Sequence, residues 1–411
     1  MRLYFMLILW MVVFKAQAQE AWPASSWNAA SNLTSVMDAA GIDELSGLHW
    51  NPVNNRLYAV QNNGRVRVLQ YNPTTNTFAQ IGSKTLSGGP EGITQANLSA
   101  NEFYVIDENN YEIQKYTHNS SFSTVNQSRH WNLLNAPSPM QDTGNTGPEG
   151  ICFVPDSYLT AAGFTSSETG QLYTSTKGAG GLFFVAHQDG GYIWVFDLNP
   201  NVNNDFAFVG KYQTNRQESC DLAFDRSTGL LYILHNIDDN YLEVTDMTLA
   251  AAPGSAAVFH SVAEYFIPTA GDGNENFEGF ALMPKCNSTV TGSAWLCRDV
   301  SNNEDAAVLT SSLKRFTNFT AAGNCTPLPQ NTFDTVPIGI YPNPFETEIT
   351  LSGVELKNAQ LKLYNGLGQL MFEQTHIHQN KLSLPAHLAC GWYVLQVIQD
   401  GQNITQKIYK Q

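Results

Sequence analysis

The chain has 411 residues, 43% of them hydrophobic and 14% charged, with a net charge of −15. At roughly 150 residues per domain that length gives two or three domains, or one large repeat domain and a smaller one. The acid excess excludes a nucleic-acid partner, which would want basic stripes, and six cysteines with no CxxC or Cys/His spacing exclude a zinc site.

The N-terminus reads as a secretory signal peptide over residues 1–18. Arg2 is followed by the apolar run "LYFMLILWMVVF" and then by "AQA" at Ala16–Ala18. The run is too short for a membrane span, which takes about 20 apolar residues. The exported chain that follows is expected to fold as a repeat domain over residues 19–325, a linker over 326–336 and a small tail domain over 337–411.

The repeats restart on a polar residue, a glycine and an apolar run. The first reads "ELSGLHWNPVNNRLYAVQN" from Glu44 to Asn62. The second has "PEGITQ" and then "EFYVIDEN"; the third has "PEGICFVP" and then "GLFFVAHQ". The fourth is "SCDLAFDRSTGLLYILHN", and the fifth has "FEGFALMP" and then "AWLCRDV". Third strands follow each pair ("RVRVLQY", "YEIQKY", "YIWVFDL", "YLEVTDM", "AAVLTSS"), and fourth strands are legible in several units. Period-2 alternation with aromatic and β-branched content predicts strands throughout. A four-stranded unit repeated about every 45–70 residues is the mark of a β-propeller blade. We read five blades and leave a sixth, degenerate one open. A β-sandwich array would also explain the strands, but not the recurrent polar-Gly-apolar start. The fifth unit lacks a clear fourth strand, which "SSWNAASNL" near the mature N-terminus is placed to supply. Cys286 and Cys297 flank the turn-rich "NSTVTGSAWL" and are expected to close it with a disulfide.

After Cys325 the texture changes to the Pro/Thr/Asn-rich "TPLPQNTFDTVP". From Pro337 onward there are five Lys and five Asp or Glu, so the tail is neutral and the acid sits in the repeats. Its short alternating strands and tight turns, such as "NGLGQ", predict a small Ig-like β-sandwich.

Two resemblances add to this reading. The tail closely resembles the type A C-terminal sorting domain of the type IX secretion system, through "YPNP" at Tyr341–Pro344, "LYNGLGQLMF", "GWYVLQV" and the final "KIYK". That resemblance implies passage across the outer membrane with the type IX machinery as partner, then release or surface attachment. Cys390 stands where the family usually has a small residue. The repeats resemble the SdiA-regulated and phytase-like esterase propellers, through "LSGLHWNPVNNRLYAV", "GPEGI", "CDLAFDRSTGLLYILHN" and "NFEGFAL". That resemblance implies a propeller with a calcium ion in or near its central channel, and it does not fix an activity.

In a propeller the first strand of each blade lines the channel, and the second returns beside it. The start of the first and the end of the second therefore share one rim. This places Glu91, Glu149 and Glu278 at a common mouth, with Ser46 and Cys220 in the same column and Glu44, Glu218 and Asp221 close by. Converging carboxylates must protonate, stay wet or bind a cation, and calcium takes many oxygen ligands in loose geometry. The candidate metal ligands are thus Glu91, Glu149, Glu278, Asp221 and Glu44; the competing reading is that each carboxylate latches backbone N–H groups of the next blade. His187 and His235 end equivalent second strands and are candidate general acid/base groups, or plain rim residues. No GxSxG, HExxH or phosphate-cradling loop is present.

Two functions remain open. One is a surface or secreted propeller that binds an extracellular glycan, peptide or small molecule, with metal in support. The other is a calcium-dependent hydrolase of phosphoesters or lactones, against which stands the scarcity of basic residues near the motifs: Arg216, Lys285 and Arg298 alone.

Overall fold

The computed structural model describes residues 20–37, 42–237, 239–249, 257–268, 271, 276–286, 292–301, 303–320, 339–352, 356–365, 369–399 and 402–411. The expected signal peptide and linker lie outside the described residues. The chain divides into two compact units, 1–328 and 329–411.

The larger unit is a five-bladed propeller. The first blade is Leu45–Asn51, Arg56–Gln61, Arg65–Asn72 and Thr77–Thr85. The second is Pro90–Thr94, Glu102–Asp107, Glu112–His118 and Val125–Asn132. The third is Pro148–Pro155, Gly181–His187, Tyr192–Leu198 and Phe206–Gln213. The fourth is Asp221–Asp225, Leu230–Asn236, Asn240–Leu249 and Phe259–Phe266. The fifth takes Phe277–Leu282, Ser293–Arg298 and Leu313–Thr317 from its own repeat. Its outer strand is Ser31–Asn32, paired antiparallel as Ser31↔Arg315 and Asn32↔Lys314. The N-terminal segment thus closes the ring where the sequence left a gap. Just upstream, Glu20–Ala21 adds a parallel strand outside Phe259–Phe266, so the entering chain ties the fourth blade to the fifth. No sixth blade is present among the described residues.

The core is a set of apolar layers between successive blades, because each sheet is apolar on both faces. Tyr58, Val60, Phe103 and Val105 pack between blades one and two. Trp22, Trp27, Leu234, Phe277 and Phe316 fill the layer between blades four and five. Trp27 belongs to the closing segment, and its ring lies 4.8 Å from that of Phe277. Burying one such side chain stabilises by about 1.5–3 kcal/mol, so closure is held mainly by these tryptophans rather than by a two-residue ladder.

Cys286 is disulfide-bonded, but the expected partner is wrong: Cys297 is a free, buried thiol. Strand geometry is the reason. Cys297 lies inside Ser293–Arg298 with its Sγ turned toward the first blade, 3.5 Å from the Leu45 carbonyl oxygen, so it packs between blades and faces away from the turn.

The tail unit pairs a three-stranded sheet (Gly339–Tyr341, Glu348–Ser352, Lys381–Ser383) with a four-stranded one. The latter runs in the order Leu370–Ile377, Ala359–Asn365, Gly391–Gln399, Gln402–Lys410. Burial alternates along Glu348–Ser352 and Ala359–Asn365, which puts Ile349, Leu351, Leu361 and Leu363 into one core with Phe345, Leu395 and Ile408. Among the described residues no helix is long and apolar enough to cross a membrane.

Candidate functional site

The recurrent polar-Gly start is a β-bulge. In the second blade Pro90 faces Asp107 and Gly92 faces Ile106, so Glu91 is the extra residue. Glu278 is extra in the same way between Phe277↔Arg298 and Gly279↔Cys297, as is Ser46 between Leu45↔Gln61 and Gly47↔Val60. In the third blade the Glu149–Gly150 pair interrupts the register between Pro148↔His187 and Ile151↔Val185. A bulge re-aims a side chain that the pleat would send elsewhere, and here it turns the glutamates to the channel mouth. The glycine next in line sits where neighbouring blades touch through their backbones. A Cβ on Gly92 would lie 2.7 Å from the Glu149 carbonyl oxygen, and one on Gly150 would lie 2.5 Å from Asp221 Cα. Only glycine permits that waist.

The carboxyls above the waist feel one another. Burial pushes Glu91 up to about 8, with Glu108, Asp299 and Asp107 adding to the rise and the Ser46 hydroxyl opposing it. Burial also holds Glu149 well above the carboxylate range, helped by Glu91, Glu278 and Glu108. Glu278 is raised likewise, by burial and then by Asp299 and Glu91. Asp299 is pushed up to about 6 by burial and Glu44. An amide web joins part of this ring. Asn236 donates to the Asn276 side-chain oxygen, and Asn276 donates to Glu278 Oε1 at 2.7 Å and to Asp299 Oδ2 at 3.4 Å. Glu108 Oε1 accepts the Gly147 N–H at 3.0 Å. Two buried oxygens of this cluster have no hydrogen-bond partner, Glu91 Oε1 and Asp299 Oδ1. Among the described residues no three His, Cys, Asp or Glu side chains are drawn tightly enough together to ligate an ion unaided.

The other two acidic candidates have different surroundings. Glu44 is half-buried at the junction of the fifth and first blades, with φ +55°. Its N–H donates to the Val300 carbonyl, and its own carbonyl accepts from Asn62 N–H and Ser46 Oγ; its carboxylate is near enough to raise Asp299. Asp221 realises the latch reading. It is fully buried, with Oδ2 accepting Phe280 N–H at 2.8 Å and Leu48 N–H at 3.3 Å, and Oδ1 accepting Leu222 N–H at 2.8 Å. One carboxyl thus staples the fourth blade to the fifth and the first. Burial raises it well above its usual range while those three N–H groups pull it back.

Neither histidine reaches the mouth. His187 faces the second blade, its ring 6.5 Å from Tyr111 and 6.1 Å from Trp194. Neither ring nitrogen has a partner, and burial pushes it down to about 4, so it is neutral packing. His235 is fully buried. Its Nδ1 donates to the Glu218 carbonyl at 2.7 Å, and its Nε2 lies 3.0 Å from Glu243 Oε2. It ties the second and third strands of its blade. Asp107, the equivalent residue of the second blade, does similar work: it accepts from Gly89 N–H, Asn110 and Gln114. These residues end equivalent strands, as the sequence says, but the pleat turns them between blades. The residue one further along (Glu108, Asn236, Asp299) belongs to the mouth cluster. Asn276, which orders the Glu278 corner, was not anticipated. Its signal is its place two residues before a bulge glutamate.

Residues 26–160 match the family described as SdiA-regulated, and residues 339–411 match the family described as secretion system C-terminal sorting domain. The tail therefore marks the chain as cargo for export by type IX secretion. No curated protein matches the chain. Among solved structures, a protein from Lactobacillus plantarum is similar at 14% identity and a TM-score of 0.34, over 55% of this chain and 59% of that one. Raptor from Chaetomium thermophilum is similar at 10% identity and a TM-score of 0.33, over 90% of this chain and 28% of that one. Likenesses this loose say nothing about activity.

Proposed function

We propose that the protein is an exported propeller whose acidic mouth takes up calcium and, with it, binds an extracellular ligand. The observation that carries this reading is the pair of buried, partnerless oxygens, Glu91 Oε1 and Asp299 Oδ1, inside a ring of mutually repelling carboxyls. Such a ring holds protons or a cation. A hard cation suits it better than a transition metal, because the donors are carboxylates and amides with no imidazole or thiolate among them. Glu91, Glu149 and Glu278 would hold the ion, with Glu108, Asp299 and Glu44 on the rim and water completing the sphere. Bound calcium would neutralise the ring and offer open positions to an oxygen-bearing glycan, peptide or small molecule. Asp221 remains a latch. The binding reading is preferred over a hydrolase of phosphoesters or lactones because, of the candidate acid/base groups, His187 is buried as neutral packing and His235 is bonded within its own blade.

The test is thermal unfolding of the full chain with calcium and with chelator. Binding stabilises the native state by mass action, about 2.7 kcal/mol at a hundredfold excess over the dissociation constant. Glu149→Gln and Glu278→Gln should blunt that gain, and Glu373→Gln in the tail should not. Melting curves that ignore calcium would overturn the proposal. Chelator-sensitive turnover of a phosphoester or lactone would replace the binding reading with the hydrolase.

A further inference from the structure

The opposite end of the channel carries a second arrangement that the mouth does not use. Below the glycine waist the inner strands end in a recess to which all five blades contribute, lined by Leu48, His49, Trp50, Phe153, Phe224 and Arg226 among others. The recess is open to solvent, and the space within it free for water-sized groups is ≈30 Å³. That is room for about two water-sized groups, the footprint of one carboxylate.

Arg226 lies across this end. It follows the inner strand of the fourth blade, and its Nη2 donates to the Gln95 and Ala96 carbonyls of the second blade, at 3.0 and 3.1 Å. Both acceptors are neutral. No described carboxylate pairs with the guanidinium, although the protein carries a net charge of −15. Its sequence neighbour Asp225 is occupied elsewhere, accepting from Ser227 N–H at 2.7 Å, Ser227 Oγ at 2.6 Å and Thr228 Oγ1 at 2.9 Å. Arg226 is half-buried, and a partly desolvated cation without a counter-charge is unfavourable, which an anion in hydrogen-bonding reach offsets. His49 lines the same recess, and its Nε2 is buried without a partner. Burial and Arg226 hold His49 down at about 3, so it offers a neutral nitrogen and no second charge. The remaining walls mix aromatic and aliphatic side chains with Thr94, Cys152 and exposed backbone, and the Phe153 ring lies 5.9 Å from the guanidinium.

We propose that this recess is a second ligand site, which seats the carboxylate of a small organic acid on Arg226 and His49 and its apolar or aromatic body against Trp50, Phe153 and Phe224. The waist separates this site from the acidic mouth, so it stands independently of calcium.

The probes are benzoate and its neutral isostere benzamide, titrated calorimetrically into the full chain at neutral pH. Benzoate should bind in the millimolar range or tighter, at least about tenfold better than benzamide, as a charge-assisted pair requires. Chelator should leave its affinity unchanged. Arg226→Met should abolish benzoate binding, and Arg226→Lys, which keeps the charge but loses the planar fork, should weaken it several-fold. If Arg226→Met fails to fold, the benzamide comparison on the native chain and Arg226→Lys carry the test. Equal affinity for the two probes, no benzoate binding at millimolar concentration, or benzoate binding that survives Arg226→Met overturns the proposal and leaves Arg226 as a strut between blades.

Discussion

Removing the Asp221 carboxyl should open the ring at its axis. In Asp221→Ala the Leu48, Phe280 and Leu222 N–H groups lose their acceptor, and all three residues are buried core. An orphaned buried amide costs about 1–3 kcal/mol. The two that bridge blades set the scale at about 2–6 kcal/mol, and water entering the vacated space brings the expected loss to about 3 kcal/mol. For a domain of this size that is a drop of roughly 5 °C in melting temperature. Asp221→Asn keeps one carbonyl oxygen, which can face Leu48 and Phe280, and should lose less than half as much. Thermal denaturation followed by near-ultraviolet circular dichroism reads both variants. The losses should be the same with calcium and with chelator, because the latch lies below the mouth. A loss under about 1 kcal/mol for Asp221→Ala, or one that calcium removes, would refute the latch.

Other outcomes follow from the same geometry. Glu91 is raised from 4.5 to about 8 in the folded protein, so the native state holds a proton that the unfolded chain has released. Stability in chelator should therefore be highest below pH 4.5 as far as this group is concerned, and fall as the pH rises through 8. At about 1.4 kcal/mol per unit the penalty is capped near ~5 kcal/mol, and sharing among coupled carboxyls lowers it to a few; Glu91→Gln should flatten the slope, and an unchanged slope would contradict the assignment. Peptide mapping after alkylation should find exposed Cys390 modified in the native protein and buried Cys152, Cys220 and Cys297 modified only after denaturation; labelling of native Cys297 would place it wrongly. Deleting residues 337–411 should leave a folded propeller retained in the periplasm, and normal surface delivery of that truncation would remove the sorting role from the tail.

Much of the fold is written in the sequence because its signals are local. Four polar-Gly-apolar restarts and the related "SCDLAF" start of the fourth unit marked five inner strands, and the missing fourth strand of the last unit pointed to the segment around Ser31–Asn32. The convergence of Glu91, Glu149 and Glu278 was legible for the same reason, since equivalent positions in a closed repeat share a rim. What was not legible depends on parity and on contacts across the axis. His187 and His235 end the right strands, but whether a residue faces the channel or the next blade is set by the pleat, and a single bulge changes it. Asp221 reads like the glutamates in sequence. Its role is decided by the Leu48 and Phe280 amides, which come from two other blades. Arg226 was invisible as a site residue, because its acceptors lie in a non-neighbouring repeat. Cys286 and Cys297 are close in sequence, yet strand direction points Cys297 into a layer between blades.

The central claim is that the acidic mouth holds a divalent cation. Equilibrium dialysis of the chelator-stripped full chain against calcium, with metal content measured afterwards, tests it most directly. The account predicts about one calcium per chain at saturation, lost in the Glu91→Gln, Glu149→Gln double variant and retained in Asp221→Asn. Metal-free protein at saturating calcium, or full occupancy in the double variant, would contradict it.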